Sequence, residues 1–223
     1  MPTVLLINAH SKRGQEMFEA AQQVLRNVGF HDLEPHAVQS LEESEAVLRA
    51  AIARGDEMVV VGGGDGMGPL KRVAKAINEA RLNATLVVIC GRNTELREDL
   101  RQVDWHMPVH LYGFTSNMPQ FMAASDMLVT KAGPGTISEA FISGLPLVLY
   151  SRLPGQEDGN VSYVVHERAG VWAPRPREVV EAVRRWVEDP QARARAASAS
   201  RRVAKPKAAR SIARLIADQV GVR

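Results

Sequence analysis

The chain contains little cysteine and no long apolar run. Among its 223 residues there is one cysteine, Cys90, which excludes a disulfide framework and favours a reducing compartment. No apolar run approaches the roughly 20 residues that a membrane-spanning helix needs, and the first residues show no signal-peptide pattern. These absences predict a cytoplasmic protein, and a hydrophobic fraction of 45% is enough for one large domain or two small ones.

The sequence also lacks the common catalytic and metal-binding motifs. Its six histidines show neither a paired metal spacing nor a nucleophile partner, and no Walker loop or Ser-His-Asp arrangement is present. We therefore expect no metal and no cofactor. His10 is the one candidate for a catalytic residue, because it follows the first predicted strand at the edge of the sheet where ligands bind.

Charge is unevenly distributed along the chain. Residues 191–223 contain nine lysines and arginines and one aspartate. This tail carries a net charge of +8 and the remaining residues −5, which together give the +3 of the whole chain. A basic tail on an acidic body indicates an anionic membrane surface or a nucleic acid as partner, or only a solvated helix face. We expect peripheral association with an anionic membrane and no nucleic acid.

Short apolar strands alternate with helices along most of the chain. This alternation predicts an α/β fold, Rossmann-like, with three αβα layers and a mostly parallel sheet. The clearest unit is residues 126–160, which contain a strand at 127–130, a glycine-containing turn, a helix at 136–142, a strand at 147–150 and a polar loop. Such a turn brings a helix N-terminus to the carboxyl edge of the sheet, where open α/β sheets bind nucleotides.

A second glycine-rich segment follows the third predicted strand. Residues 62–68 hold five glycines in seven positions, and their backbone N–H groups could hold a phosphate or only tighten a strand–helix corner. Asp65 within this loop is either a metal or hydroxyl partner or an ordinary turn residue.

Several polar residues near these turns allow two interpretations. Glu139 either completes a capping box with Thr136 or accepts the two hydroxyls of a ribose. Arg92 either stacks on a base or pairs with a phosphate, or it is a surface arginine. The loop at 154–160 suits a polyol or is simply solvated.

From about residue 58 to residue 189 the chain closely resembles the carboxyl-terminal, nucleotide-sugar-binding domain of the monogalactosyldiacylglycerol synthase family, within the B-type glycosyltransferases. The matching pieces are, in order, GGGDGMGPL, VVICGRN, LYGFTSNMP, VTKAGPGTISEA, GLPLVL and LPGQEDGN. Their order and number over some 130 residues make the resemblance specific.

The resemblance implies a UDP-sugar as donor and hexosyl transfer to a lipid acceptor similar to diacylglycerol, without a covalent protein nucleophile. It also implies which residues bind the UDP-sugar. They are Gly64, Asp65 and Gly66 near the diphosphate, Arg92 and Phe114 at the uracil, Gly133, Gly135 and Thr136 at the phosphates, Glu139 at the ribose, and Gln156, Glu157 and Asn160 at the hexose.

Residues 1–66 instead resemble the start of the diacylglycerol kinase-like catalytic domain. The resemblance rests on Ile7-Asn8-Ala9 and on Gly63-Gly64-Asp65-Gly66, where Met67 replaces the threonine of the family. The chain therefore resembles a composite of two nucleotide-binding halves. We expect residues 1–57 to form a kinase-like βαβα segment that joins the same sheet, residues 58–190 the nucleotide-sugar domain, and residues 191–223 a basic helical tail.

Three functions follow from these resemblances. The first is a glycosyltransferase or its donor-binding half. The second is an ATP-dependent lipid kinase-like protein, and the third is a non-catalytic nucleotide-binding chimera that lacks an acceptor domain. Pairing of two subunits to complete a cleft is compatible with each.

Overall fold

The computed structural model describes three strands of the first part of the chain and nearly all of the rest. The three strands are β1 (Thr3–Asn8), β2 (Leu33–Val38) and β3 (Asp56–Val61), for which only the backbone is considered. Residues 69–115 and 118–220 complete the described part, with the side chains of 217–220 left aside.

Helices and strands alternate regularly from residue 70 to residue 188, as the sequence pattern predicts. In chain order the elements after β3 are α1 (Leu70–Glu79), β4 (Ala84–Ile89), α2 (Thr94–Arg101), β5 (Val109–Tyr112), α3 (Met118–Ala124), β6 (Met127–Lys131), α4 (Pro134–Ile142), β7 (Leu147–Ser151), α5 (Asp158–His166), β8 (Gly170–Trp172), α6 (Pro176–Glu188), α7 (Pro190–Val203) and α8 (Ala208–Val220).

Six of the strands form one parallel sheet in the order β5-β4-β3-β6-β7-β8. Counted from β3, this is the 3-2-1-4-5-6 order of the doubly wound nucleotide-binding fold. The order reverses between β3 and β6, and ligands of such sheets bind in the crevice beyond the carboxyl ends of the strands at this point. The predicted Rossmann-like α/β class with a parallel sheet is confirmed.

The sheet is buried on both faces, which explains why its strands are almost continuously apolar. Met127 and Val129 of β6 pack into one core cluster with α1, α2 and α6, whereas Leu128 packs into the other with α3, α4 and α5. Alternate residues of a strand point to opposite faces, so helices cover both sides and give the three predicted layers.

The strands of the first part do not extend this sheet. β1 pairs in parallel with β2, and these two form a separate two-stranded sheet. β3 has β4 on one side and β6 on the other, so both of its hydrogen-bonding edges are occupied. The continuous sheet that we expected is therefore not formed by the described strands, and the domain limits at residues 57 and 190 stay predictions.

The first half of the basic tail is packed against the sheet domain. Helix α7 buries Ala192, Ala196 and Ala199, and the hydroxyl of the buried Ser200 donates to the carbonyl oxygen of Leu145 at 2.7 Å. The first part of the predicted basic helical tail thus forms a regular helix with a buried face.

Three arginines of α7 are paired with acidic side chains of the domain. The pairs are Arg193 with Asp126 at 3.7 Å, Arg195 with Asp189 at 3.8 Å, and Arg202 with Glu167 at 3.0 Å. The hydrogen bond from Arg202 holds the pKa of the Glu167 carboxyl below its usual value. Arg201 is the fourth arginine of α7 and is exposed, and the other cations of the tail lie beyond α7. Within the described residues, no helix is long and apolar enough to cross a membrane.

A tight contact between β7 and β8 makes Gly170 a test of this packing. A Cβ atom on Gly170 would lie 2.3 Å from the carbonyl oxygen of Leu147 and 2.7 Å from Cγ1 of Val164. Because one of these neighbours is backbone, we expect Gly170→Ala to lower the free energy of unfolding by about 1–3 kcal/mol or more. Urea denaturation measures this change.

Gly159→Ala in α5 is the matched control, because a Cβ atom there meets nothing within 4 Å. We expect it to be neutral or to stabilise the helix by up to about 1 kcal/mol. Equal effects of the two substitutions would contradict the close approach at Gly170.

Candidate functional site

The first turn of α4 lies at the point where the strand order reverses. β6 ends at Lys131, and α4 begins at Pro134 with Gly133 as the N-cap residue. No side chain among the described residues caps this helix, so its first backbone N–H groups and the positive end of its dipole are available to an anion. A Cβ atom on Gly135 would meet no atom of the described residues within 4 Å.

The start of α4 decides between the two interpretations of Glu139. The helix begins two residues earlier than predicted, so Thr136 lies inside the first turn and is not the N-cap residue. The prediction of a capping box between Thr136 and Glu139 is therefore wrong. Glu139 is exposed, and its carboxylate has no hydrogen-bond or ion-pair partner among the described residues, so it can accept donors from a ligand.

The polar loop before α5 and the first turn of α5 are each tied to the segment before α4 by one side chain. Asn160 donates through Nδ2 to the carbonyl oxygen of Ala132 at 2.9 Å. The Nζ atom of Lys131 lies 2.7 Å from Oε1 of Glu157, and Oε2 of Glu157 accepts the backbone N–H of Leu153 at 2.7 Å. The loop is thus held in place and is not merely solvated. Gln156, by contrast, is exposed.

Lys131 was not anticipated from the sequence. Its signal was nevertheless present, because it is a cationic residue that ends a buried strand and directly precedes the glycine-containing turn. What the sequence does not reveal is the partner, since Glu157 lies 26 residues further along the chain.

Arg92 and Phe114 come together at the ends of two neighbouring strands. Arg92 follows β4 and Phe114 follows β5, and the guanidinium carbon lies 4.7 Å from the centroid of the phenyl ring. Phe114 is 62% exposed. An exposed ring beside a guanidinium group offers two planar surfaces for a planar base.

Arg97 is a further cation near this edge that sequence reasoning missed. Its Nε atom is buried and has no hydrogen-bond partner in the part of the chain that is described, and its Nη1 atom would lie 3.7 Å from a Cβ atom on Gly113. The helical position of Arg97 alone gave no sign of this, because the approach depends on the path of β5.

Four of the predicted site residues lie outside the residues that the structure describes. They are His10, Gly64, Asp65 and Gly66, and their roles stay predictions. Elsewhere, in the part of the chain that is described, no three histidine, cysteine, aspartate or glutamate side chains form a group that could hold a metal ion.

Comparison with protein families gives two matches. The model of the glycosyltransferase family 28 C-terminal domain matches residues 58–216, which is more than two thirds of the chain. The model of the diacylglycerol kinase catalytic domain matches residues 2–91. Both resemblances seen in the sequence are confirmed, and the two matches overlap at β3, α1 and β4.

Known relatives extend the first match. The chain is 37% identical over 187 residues to the probable monogalactosyldiacylglycerol synthase 3, chloroplastic, of Oryza sativa subsp. japonica, which covers 74% of this chain and 37% of that protein. It is 46% identical over 136 residues to the probable monogalactosyldiacylglycerol synthase 2, chloroplastic, of the same organism, which covers 58% and 29%. The chain thus spans about a third of the length of these relatives.

A solved structure shares the fold at low identity. The co-structure of S. aureus MnaA with UDP superposes with a TM-score of 0.62 and 13% identity, over 92% of this chain and 60% of that one. The parallel sheet and its strand order define a Rossmann-like, doubly wound domain. Within that class, the chain belongs to the glycosyltransferase family 28 C-terminal domain family.

The reactivity of the single cysteine, Cys90, tests the packing beside Arg92. Cys90 is fully buried after β4, and burial raises the pKa of its thiol, an effect that the charge of Arg97 partly offsets. Because the thiolate is the reactive form, we expect the native thiol at neutral pH to react with a disulfide reagent more than about tenfold slower than the unfolded chain. Equal rates with and without urea would contradict the burial.

Proposed function

We propose that this chain binds a UDP-sugar at the carboxyl edge of its sheet. We further propose that it is the donor-binding part of a glycosyltransferase that transfers a hexosyl group to a lipid acceptor similar to diacylglycerol. One observation carries the proposal: the uncapped first turn of α4, with Lys131 before it and the exposed Glu139 after it, lies where the strand order reverses. The synthases to which the chain is similar are named for a galactosylated diacylglycerol.

The diphosphate is assigned to the first turn of α4. Gly133, Gly135 and Thr136 supply backbone at this turn, and the helix dipole favours a negative charge there. Gly64, Asp65 and Gly66 are assigned to the same end of the donor on the resemblance alone.

The nucleoside is assigned to the two neighbouring features. Uracil is assigned beside the contacting pair of Phe114 and Arg92, because base stacking on the exposed ring and cation–π contact need only a planar ring. The free carboxylate of Glu139 suits the ribose, since two carboxylate oxygens accept two hydroxyl donors.

The hexose is assigned to the loop before α5. Gln156 is exposed there, and Asn160 keeps its Oδ1 atom for a sugar hydroxyl because Nδ2 donates to Ala132. Glu157 was expected in the same role, but both of its carboxylate oxygens already have protein partners.

The transfer is a substitution at the anomeric carbon to which the protein contributes a helix dipole and a base. An acceptor hydroxyl attacks the anomeric carbon, the bond from that carbon to the diphosphate oxygen breaks, and UDP departs with the bonding electron pair. The helix dipole at α4 stabilises the charge on the departing UDP. The hydroxyl proton goes to a base, for which His10 stays the candidate.

An ATP-dependent lipid kinase is the second candidate function. It is favoured by the match of residues 2–91 to the diacylglycerol kinase catalytic domain. It would bind a nucleotide with a purine base and a triphosphate, so nucleotide choice separates it from the first proposal.

We also propose that α8 binds an anionic membrane surface, so that the protein associates peripherally with the membrane. Ile212, Leu215 and Ile216 are 56%, 64% and 58% exposed, and their i, i+3, i+4 spacing puts them on one face of the helix. The basic residues around them are Lys205, Lys207, Arg210 and Arg214, which are all exposed. An apolar face flanked by cations suits an anionic bilayer surface.

Thermal-shift titration tests the donor proposal. Because a ligand that binds only the native state stabilises that state, UDP at 100 times its dissociation constant should raise the free energy of unfolding by about 2.7 kcal/mol, and ATP should raise it little.

Glu139→Ala should weaken UDP binding about 10- to 100-fold, the loss expected for a charge-assisted hydrogen bond. The free energy of unfolding should hardly change, because this carboxylate has no partner among the described residues.

The control is Glu181→Ala on α6, which breaks only an exposed ion pair with Arg177 and should leave UDP affinity unchanged. Stabilisation by ATP but not by UDP would favour the kinase. Unchanged UDP affinity in Glu139→Ala would contradict the ribose assignment. Release of UDP from UDP-hexose on addition of diacylglycerol would separate transfer from binding alone.

Co-sedimentation with vesicles tests the role of α8. We expect binding to phosphatidylcholine vesicles only when they contain phosphatidylglycerol, and weaker binding as salt is raised. The double substitution Lys207→Ser and Arg210→Ser should weaken binding about 30-fold, because each cation near such a surface contributes about 1 kcal/mol. Arg177→Ser on α6 is the control, and binding that ignores salt or lipid charge would contradict the proposal.

A further inference from the structure

Glu157 is buried although it lies in a polar loop. Its side chain is 6% exposed, and each carboxylate oxygen has one protein donor. Oε1 lies 2.7 Å from Nζ of Lys131, and Oε2 accepts the N–H of Leu153 at 2.7 Å. A side chain held in this way has little surface left for a sugar hydroxyl, so its geometry favours a role within the protein.

Lys131 lies directly against the N-terminus of α4. A Cβ atom on Gly133, the N-cap residue, would be 3.7 Å from Nζ and 3.7 Å from Cε of Lys131. An ammonium group has three N–H donors, and one of them is used by Glu157 among the described residues. The remaining donors are therefore close to the backbone N–H groups at the start of the helix.

This position is electrostatically unfavourable for a lysine without a partner. The side chain of Lys131 is only 24% exposed, and the N-terminus of a helix carries a positive partial charge. A partly buried cation beside a positive helix end needs a compensating anion. Glu157 is the anion that the structure supplies, and its bond to Leu153 fixes its own orientation.

We propose that Glu157 is a positioning residue for the diphosphate end of the donor. It keeps the Lys131 ammonium group against the first turn of α4, where the remaining N–H donors of Lys131 meet the diphosphate. Glu157 thus acts on UDP through Lys131 and does not bind the hexose. This inference rests on the proposed UDP-sugar site.

Three ligands that differ by one group each test the proposal. Uridine lacks the diphosphate, UDP has it, and UDP-galactose adds a hexose. Titration calorimetry of the full chain with each ligand gives three dissociation constants for each variant. Because Lys131 would act on phosphate alone, only ligands that contain the diphosphate should be affected.

Glu157→Gln keeps the shape of the side chain and removes its charge. We expect UDP to bind about tenfold or more weakly, with uridine affinity unchanged and with the ratio of UDP-galactose to UDP affinity unchanged. Lys131→Met should show the same pattern, whereas Lys131→Arg should retain most of the UDP affinity because it keeps the charge. The double variant should lose little more than Lys131→Met alone, since the two residues act as one unit.

Glu181→Gln, which alters the exposed pair with Arg177, is the matched control and should leave all three constants unchanged. A Glu157→Gln protein that loses affinity for UDP-galactose but not for UDP would overturn the proposal in favour of a direct hexose contact. If Glu157→Gln lost affinity for uridine and for UDP equally, Glu157 would only support the structure of the site. This result would also overturn the proposal.

The test also gives a result if a variant does not fold or if the unmodified protein does not prefer UDP to uridine. If Glu157→Gln does not fold, the contrast between Lys131→Met and Lys131→Arg decides, and equal UDP affinities of these two variants would overturn the inference. If the unmodified protein binds uridine and UDP equally or not at all, the proposed function itself fails, which is visible before any variant is compared.

Discussion

The parallel pairing of β3 with both β4 and β6 is the constraint on which the rest of the structure depends. Because β3 is hydrogen-bonded on both sides, the chain must continue to one side for β4 and β5 and return to the other for β6, β7 and β8. The order of strands reverses at this pair, and the carboxyl ends of the strands leave a crevice there. The turn before α4 follows β6 at this point, and Asn160 of α5 is hydrogen-bonded to it.

The candidate site combines exposed side chains with a largely buried ion pair. Phe114 and Glu139 present an exposed ring and an exposed carboxylate, while Lys131 and Glu157 are largely removed from water and paired with each other. A charge pair in such surroundings depends strongly on both partners, because the loss of one leaves the other uncompensated. The same pairing joins the end of β6 to the loop before α5, 26 residues further along the chain, so the geometry of one end of the site depends on the other.

The two family matches overlap at β3, which is a central strand of the six-stranded sheet. β3 and β4 are part of the six-stranded sheet, whereas β1 and β2 pair only with each other among the described strands. A strand in the middle of a parallel sheet has no edge left for another partner. The kinase-like beginning of the chain therefore cannot add its strands at β3, although its sequence pattern is that of a sheet neighbour.

The sequence by itself determined the fold class, the alternation of elements and the glycine-containing turn before α4, because apolar periodicity and glycine placement are local signals. It did not determine that α4 starts before Thr136, that α7 is buried at Ser200, or that Glu157 faces Lys131. Only the tertiary structure decided these points. The partners of Ser200 and Glu157 are 55 and 26 residues away along the chain, and no local pattern encodes a contact that depends on how separate helices and strands pack.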